Sequence, residues 1–283
     1  MSIVKKLKPV RTAAAAAVLA AVLSACSGGG TEPQGGSADV LSSDPLTAVR
    51  SAADITGRTG SARTTTELVT ESGDKKAVFN GTGGYDYVKR IGTLEIDVPP
   101  GAATTGRIKE IVLPGTVYLQ NSGAKVPAGK WVRLDVRQLP DGNLVSSGAT
   151  DPASAAGALR GAESAELVGT ETVDGTELKH YKGTLDLAKA AEATGGRGAD
   201  GLRMAAQTFT AKQVPYEVWL DAQGRVHKVV ETFAFAGVAG SKEAKDQVKV
   251  VSTTSLADFG APVQAAEPGS ADIYSPKASA PAK

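Results

Sequence analysis

Apolar and polar side chains alternate along much of the chain, and the alternation predicts strands. The clearest case is the run Val214-Pro215-Tyr216-Glu217-Val218-Trp219-Leu220. One face carries Val214, Tyr216, Val218 and Leu220, and the other carries Glu217 and Trp219. Leu94, Ile96 and Val98 repeat the pattern, as do Val117 with Leu119 and Val132 with Leu134. Read in order, the chain predicts strands over 61–70, 76–79, 85–98, 107–113, 116–120 and 131–135. A hairpin follows, 165–172 with 177–185, turning at Asp174-Gly175. A second joins 214–220 to 226–235 across Asp221 to Gly224, and 248–256 is the last strand.

Helical spacing is sparser. Asp44 can cap a helix that Pro45 opens, and Leu46, Val49 and Ala53 give it an apolar stripe over 45–57. Asp151-Pro152 starts an Ala-rich helix ending near Gly161. Two more cover 187–193 and about 201–211, broken by Gly195-Gly196-Arg197-Gly198. Residues 138–151 and 240–247 read as loops, and the Pro/Ala/Ser-rich stretch 261–283 as a disordered tail. Strands and helices do not alternate one by one, so a parallel sheet is not expected. The order predicts an α+β fold with one large antiparallel sheet and helices gathered on one face.

The start of the chain has a different pattern. Lys5, Lys6, Lys8 and Arg11 precede a short apolar run from Ala13 to Val22, and Leu23-Ser24-Ala25-Cys26 follows. A basic region, a short apolar run and small residues before a cut predict a secretory leader over 1–25. The run is shorter than the roughly 20 residues a membrane-spanning helix needs. Leu23-Ser24-Ala25-Cys26 resembles the bacterial lipobox, and Cys26 is the sole cysteine. This predicts lipid attachment at Cys26, a tether over 26–43 rich in Gly and Ser, and a folded domain over 44–260. The expected location is the extracytoplasmic face of the cell membrane, held by the lipid anchor.

Composition narrows the function classes. The leader holds four of the 31 basic residues and no acidic one, leaving 27 basic against 30 acidic and a formal charge of −3. No basic field exists to gather nucleic acid. With its one cysteine lipidated, the chain forms no disulfide. His180 and His227 both fall in strand patterns without a metal-spaced neighbour, and no Gly-x-Ser-x-Gly elbow occurs. Gly196-x-Gly198-x-x-Gly201 matches a dinucleotide fingerprint in letters alone, because a helix and not a strand precedes it. Gly123 to Lys130 has one residue too many for a phosphate loop, and Trp131 stands where Ser or Thr belongs. No catalytic residue, cofactor or metal is expected.

Two readings of the apolar sheet face stay open: a face packed shut on its helices, or a concave face with room for an acyl chain under thin, glycine-broken helices. Val168-Gly169-Thr170-Glu171-Thr172-Val173-Asp174-Gly175-Thr176-Glu177-Leu178-Lys179-His180-Tyr181, continuing to Leu187, and the hairpin Tyr216 to Val229 with its Trp219-Leu220-Asp221-x-x-Gly224-Arg225 core resemble actinobacterial lipoproteins of the LppX/LprA/LprF/LprG type, in the wider LolA-like group. The resemblance spans about 45–260. It implies a curved, half-open antiparallel sheet wrapped over helices around a hydrophobic cavity. It also implies binding or shuttling of lipid or lipoglycan at the envelope, without catalysis. Strand parity then nominates Leu94, Ile96, Val117, Leu119, Tyr216 and Val218 as cavity lining. The rival is a non-carrier lipoprotein with a closed core that docks on an envelope protein partner or senses envelope state.

Overall fold

Each strand satisfies its backbone groups against a neighbour that runs the other way. The computed structural model describes residues 41–100, 106–121, 126–145, 149–236 and 247–275, and Cys26 with its leader lies outside them. The strands are β1 (Ser61–Ser72), β2 (Lys75–Asp86), β3 (Ile91–Asp97), β4 (Arg107–Leu113), β5 (Thr116–Gln120), β6 (Trp131–Asp135), β7 (Glu166–Val173), β8 (Thr176–Asp186), β9 (Gln213–Leu220), β10 (Val226–Ala236) and β11 (Gln247–Ala257). They form one open sheet in the order β6-β5-β4-β3-β2-β1-β11-β10-β9-β8-β7. The first six strands step outward to one edge, and the last five step inward from the other. They meet where β11 pairs with β1, from Arg63 opposite Ala257 to Ser72 opposite Val248.

Four α-helices among the described residues cover one face: α1 (Pro45–Arg58), α2 (Pro152–Ala158), α3 (Leu187–Thr194) and α4 (Asp200–Thr208). The sequence reads α+β, and the fold is α+β. Aspartates cap three of the helices, Asp44 accepting from the Thr47 amide at 2.8 Å, Asp151 from Ala153 and Ser154, and Asp186 from Ala188 and Lys189. Small residues let the helices lie close. An added Cβ on Gly161 would sit 2.1 Å from the Asp186 carbonyl, so only glycine fits where α2 runs out against the start of α3. None of the helices is long and apolar enough to cross a membrane.

Register carries one set of side chains onto the helix-covered face. Val218, Val229, Thr254, Thr66, Gly81, Ile96 and Ile108 stand in one row across the strands. The main core joins that face to α1–α4 through Phe209, Phe233, Leu159, Leu202, Val214 and Leu220. Phe209 and Phe233 stack with centroids 4.9 Å apart. A smaller core under β3–β5 holds Leu94, Ile96, Ile108, Val117, Leu119 and Ala149. Between them the face turns polar, with Thr66, Thr254, Ser252 and Glu231 buried. Burial without a charged partner pushes the Glu231 carboxyl well above the ordinary carboxylate range.

Two expectations need correcting. Residues 85–98 are not one strand. Tyr85 and Asp86 end β2, and a turn over 87–90 leads into β3. The Asp86 carboxylate accepts from the Val88 and Lys89 amides at 3.1 and 2.8 Å, which closes the turn, and Arg90 takes a positive φ of 58°. The stretch 261–275 is not loose tail. It crosses the outer face of β1–β6, with Tyr118 Oη donating to Glu267 at 2.5 Å, Lys130 Nζ to the Ala271 carbonyl at 2.7 Å, and the Tyr274 amide to the Trp131 carbonyl at 2.7 Å. Ile273 forms a parallel bridge to Trp131 on edge strand β6. Composition suggested disorder, but these side-chain and backbone partners hold the segment down.

The β9–β10 turn is fixed by one carboxylate. Asp221 is buried and accepts from the Gln223 and Arg225 amides, from Arg225 Nε at 2.6 Å and from His227 Nε2 at 3.1 Å. Burial alone would raise its pKa. The His227 and Arg225 donors outweigh that and hold it at about 2, below the usual 3.8. A depressed carboxylate stabilises the fold above its ordinary pKa, and that contribution disappears as pH falls through its folded value. Asp221→Asn is therefore expected to lose stability at pH 7, with the gap from wild type narrowing between pH 4 and pH 2. Urea denaturation at pH 7, 4 and 2 reads this directly.

Candidate binding cleft

A cleft opens where the end of β2 meets the helices. Its volume is about 900 Å³, and α1, α2, the glycine link between α3 and α4, and the β2–β3 turn enclose it. The apolar floor is Ala53, Ala156, Leu202, Tyr85 and Tyr87. The two tyrosine rings meet edge to face, centroids 5.2 Å apart. Burial raises both phenols above their usual range, with Asp151 adding to the effect. They stay protonated and bring apolar rings rather than charge to the floor.

The rim is polar and mostly basic. Arg58, Arg90, Arg160 and Arg197 line the cleft with Asp54 and Asp151. Arg160 reaches from the end of α2 to α1, where Nη2 and Nε donate to Asp54 at 2.6 and 3.1 Å, and its Nη1 lies 3.4 Å from Thr194 on α3. This one guanidinium ties three helices together. Asp151 caps α2, taking Ser154 Oγ at 2.7 Å; burial raises its pKa, and the capping donors with Arg90 oppose the rise. Arg90, at a positive φ of 58° in the β2–β3 turn, lines the cleft from that side. The Arg197 carbonyl accepts from the Asp200 amide, and its guanidinium has no hydrogen bond or ion pair among the described residues. A small pocket of about 50 Å³ adjoins the cleft, shares Tyr85, Arg90, Asp151 and Arg197 with it, and continues to Val112 and Val117.

The six residues chosen by parity all sit on the helix-covered face and all are buried. Leu94, Ile96, Val117 and Leu119 belong to the smaller core, Tyr216 and Val218 to the main one. None lines the large cleft. Val117 borders its small extension, Leu94 a groove of about 670 Å³ beside residues 262–264, and Tyr216 a pocket of about 450 Å³ near Ser164. Parity finds the face but not the opening. The cleft residues come from positions 53–58, 85–90, 151–160 and 194–202, and no spacing rule links them. The only advance signals are the Asp151-Pro152 helix start and the glycine break at 195–198.

The histidines serve the sheet. His180 stacks on Trp219 with centroids 4.1 Å apart and lies between Glu217 at 2.8 Å and Glu171 at 3.2 Å. His227 contributes to the Asp221 turn. Among the described residues no group of three or more His, Cys, Asp or Glu is placed to hold a metal. Gly196 to Gly201 follows α3 rather than a strand and forms a cleft wall.

No protein-family model and no curated protein matches the chain. Solved structures do overlay on it. LprF from Mycobacterium bovis is 13% identical, over 81% of this chain and 99% of that one, with a TM-score of 0.44. Lipoprotein LppX from Mycobacterium tuberculosis is 12% identical, over 78% and 97%, with a TM-score of 0.46. A LolA superfamily protein from Nitrosomonas europaea is 12% identical, over 77% and 95%, with a TM-score of 0.32. The likeness concerns the layout of strands and helices, and no residue role passes across it.

The cleft wall depends on one backbone shape. Gly195 ends α3 at φ 64°, ψ 172°, a region that residues with a Cβ rarely enter. Gly198 has no positive φ, and an added Cβ would make ordinary contacts at 3.4 Å and beyond. Gly195→Ala should cost about 1–3 kcal/mol of stability, and Gly198→Ala less than about 1 kcal/mol, measured by urea unfolding.

Proposed function

We propose that this chain is a lipid-anchored lipoprotein on the extracytoplasmic face of the membrane, which binds or shuttles lipid or lipoglycan acyl chains and performs no catalysis. The observation carrying the reading is the cleft, an opening of about 900 Å³ with an apolar floor between a large open sheet and thin helices. That volume suits a small-molecule ligand. Each methylene taken from water contributes about 0.8 kcal/mol, so a short stretch of acyl chain over Tyr85, Tyr87 and Leu202 is a sufficient hold. The small pocket toward Val117 offers a path inward. Val88, 75% exposed at the tip of the β2–β3 turn, puts an apolar side chain at the mouth, where a bilayer would meet it. Cys26 is the proposed attachment point, with 26–43 as the tether that sets the reach.

A second reading has its own support. The six parity residues are buried in the two cores, and Leu167, Val168 and Val173 are exposed on edge strand β7. These favour a closed-core module that docks on an envelope protein.

Native mass spectrometry of the full chain, with extraction of bound lipid, separates the two. Ala153 is half-buried on the cleft wall, so Ala153→Trp plugs the opening without entering the core. Co-purified lipid should fall at least about tenfold in Ala153→Trp, an effect of about 1.4 kcal/mol. Gln207→Trp, exposed on α4, should leave it unchanged. Chain that carries no lipid and takes up none supports the docking module. For the anchor, Cys26→Ser is expected to abolish acyl mass at the N-terminus and to move the chain from the detergent to the aqueous phase in Triton X-114 partition.

A further inference from the structure

We propose that the arginine rim of the cleft binds a phosphoryl group, so that the ligand is a phosphate-bearing amphiphile; this rests on the lipid-binding reading. Four guanidinium groups and two carboxylates line one opening. Asp54 neutralises Arg160 through two contacts. Asp151 is held as a helix cap by Ser154 and the Ala153 and Ser154 amides, and it is the one further carboxylate lining the cleft beside Arg90 and Arg197. Asp200 borders the smaller pocket, where Arg203 holds it at 2.5 Å. The cleft thus keeps a surplus of positive charge, although the chain beyond residue 25 carries a formal charge of −3.

The surplus is concentrated at one spot. Arg90 and Arg197 border both cavities, and the Arg90 guanidinium reaches the residue beside Arg197: a Cβ on Gly198 would lie in van der Waals contact with Arg90 Nη2, at 3.6 Å. Like charges lining one opening repel, and an anion between them removes the penalty. A phosphate monoester carries about −1.5 to −2 charge and three acceptor oxygens. It matches such a surplus and can take donors from more than one guanidinium fork, whereas a carboxylate brings one charge and two oxygens. With the phosphoryl group at Arg90 and Arg197, the acyl chains run over Tyr85 and Leu202 on the floor.

The test uses the full chain in non-ionic detergent and calorimetric titration with dihexanoyl phosphatidic acid, dihexanoylglycerol and inorganic phosphate. Phosphatidic acid should bind at least about tenfold tighter than the neutral diacylglycerol, the effect of one charged hydrogen bond. R197Q should shrink that advantage several-fold and R90Q/R197Q should abolish it, while diacylglycerol affinity stays unchanged. R107Q, whose arginine pairs with Asp97 and Glu95 and lines neither cavity, is the control. Equal affinity for the two lipids overturns the phosphoryl site and leaves the lipid reading standing. Inorganic phosphate binding as tightly as phosphatidic acid, without uptake of diacylglycerol, upholds the phosphoryl site and removes the lipid reading. Binding of none of the three overturns both. The Arg197 side chain is exposed and bonded to nothing among the described residues, so the R197Q result does not depend on refolding.

Discussion

The pairing of β1 with β11 is the constraint on which the rest of this molecule depends. These strands come from opposite ends of the domain, and their ladder joins two meanders that otherwise share no strand contact in the sheet. Closing so long a loop is entropically expensive and is recovered only when the whole ladder and the side chains over it form together. Thr64, Thr66, Ser252 and Thr254 line the inner side of that seam. β-branched threonine suits the pleat there, but its hydroxyl also makes the centre of the face polar. The apolar cores lie to either side, and the seam unites them by backbone hydrogen bonds more than by shared apolar contact.

That division explains where the opening lies. The helices cover the sheet with alanine and glycine more than with large side chains, so they pack close but fill little volume. Under α3 and α4 the larger groups Phe209, Phe233 and Leu202 complete the core. Beyond the end of β2 no such group fills the gap between α1 and the glycine link, and Arg160 spans it instead. The cleft is the place where the helical layer runs short of volume and is held together by charge.

Much of the fold was legible in the chain because it depends on local signals. Asp174-Gly175 and Asp221 to Gly224 mark real hairpin turns, and strict alternation at 214–220 puts the right residues on the inner face. The turn at 87–90 was not legible, since apolar residues flank it on both sides and its cause is a side-chain cap from Asp86 with a positive φ at Arg90. The length of β2 was hidden too, because Asn80 to Gly84 carries no apolar pattern and is held by its neighbours. The cleft was least legible of all. Asp54, Arg90, Asp151, Arg160 and Arg197 look like scattered surface charge until the helices bring them together.

The segment over 261–275 has a mechanical consequence. It starts at the seam, where the Gly260 amide and Ser61 Oγ fix its root, and ends on β6 through Tyr274 and Ile273. One flank of the sheet is therefore laced back to its own middle, and strands β2 to β5 lie under a cord tied at both ends. The other flank has no such cord among the described residues, and β7 presents a bare ladder to solvent. Thermal fraying is thus asymmetric: the molecule has a stiff side and a breathing side. Any motion that widens the fold begins at β7 and β8, and the laced half serves as the fixed frame against which it opens.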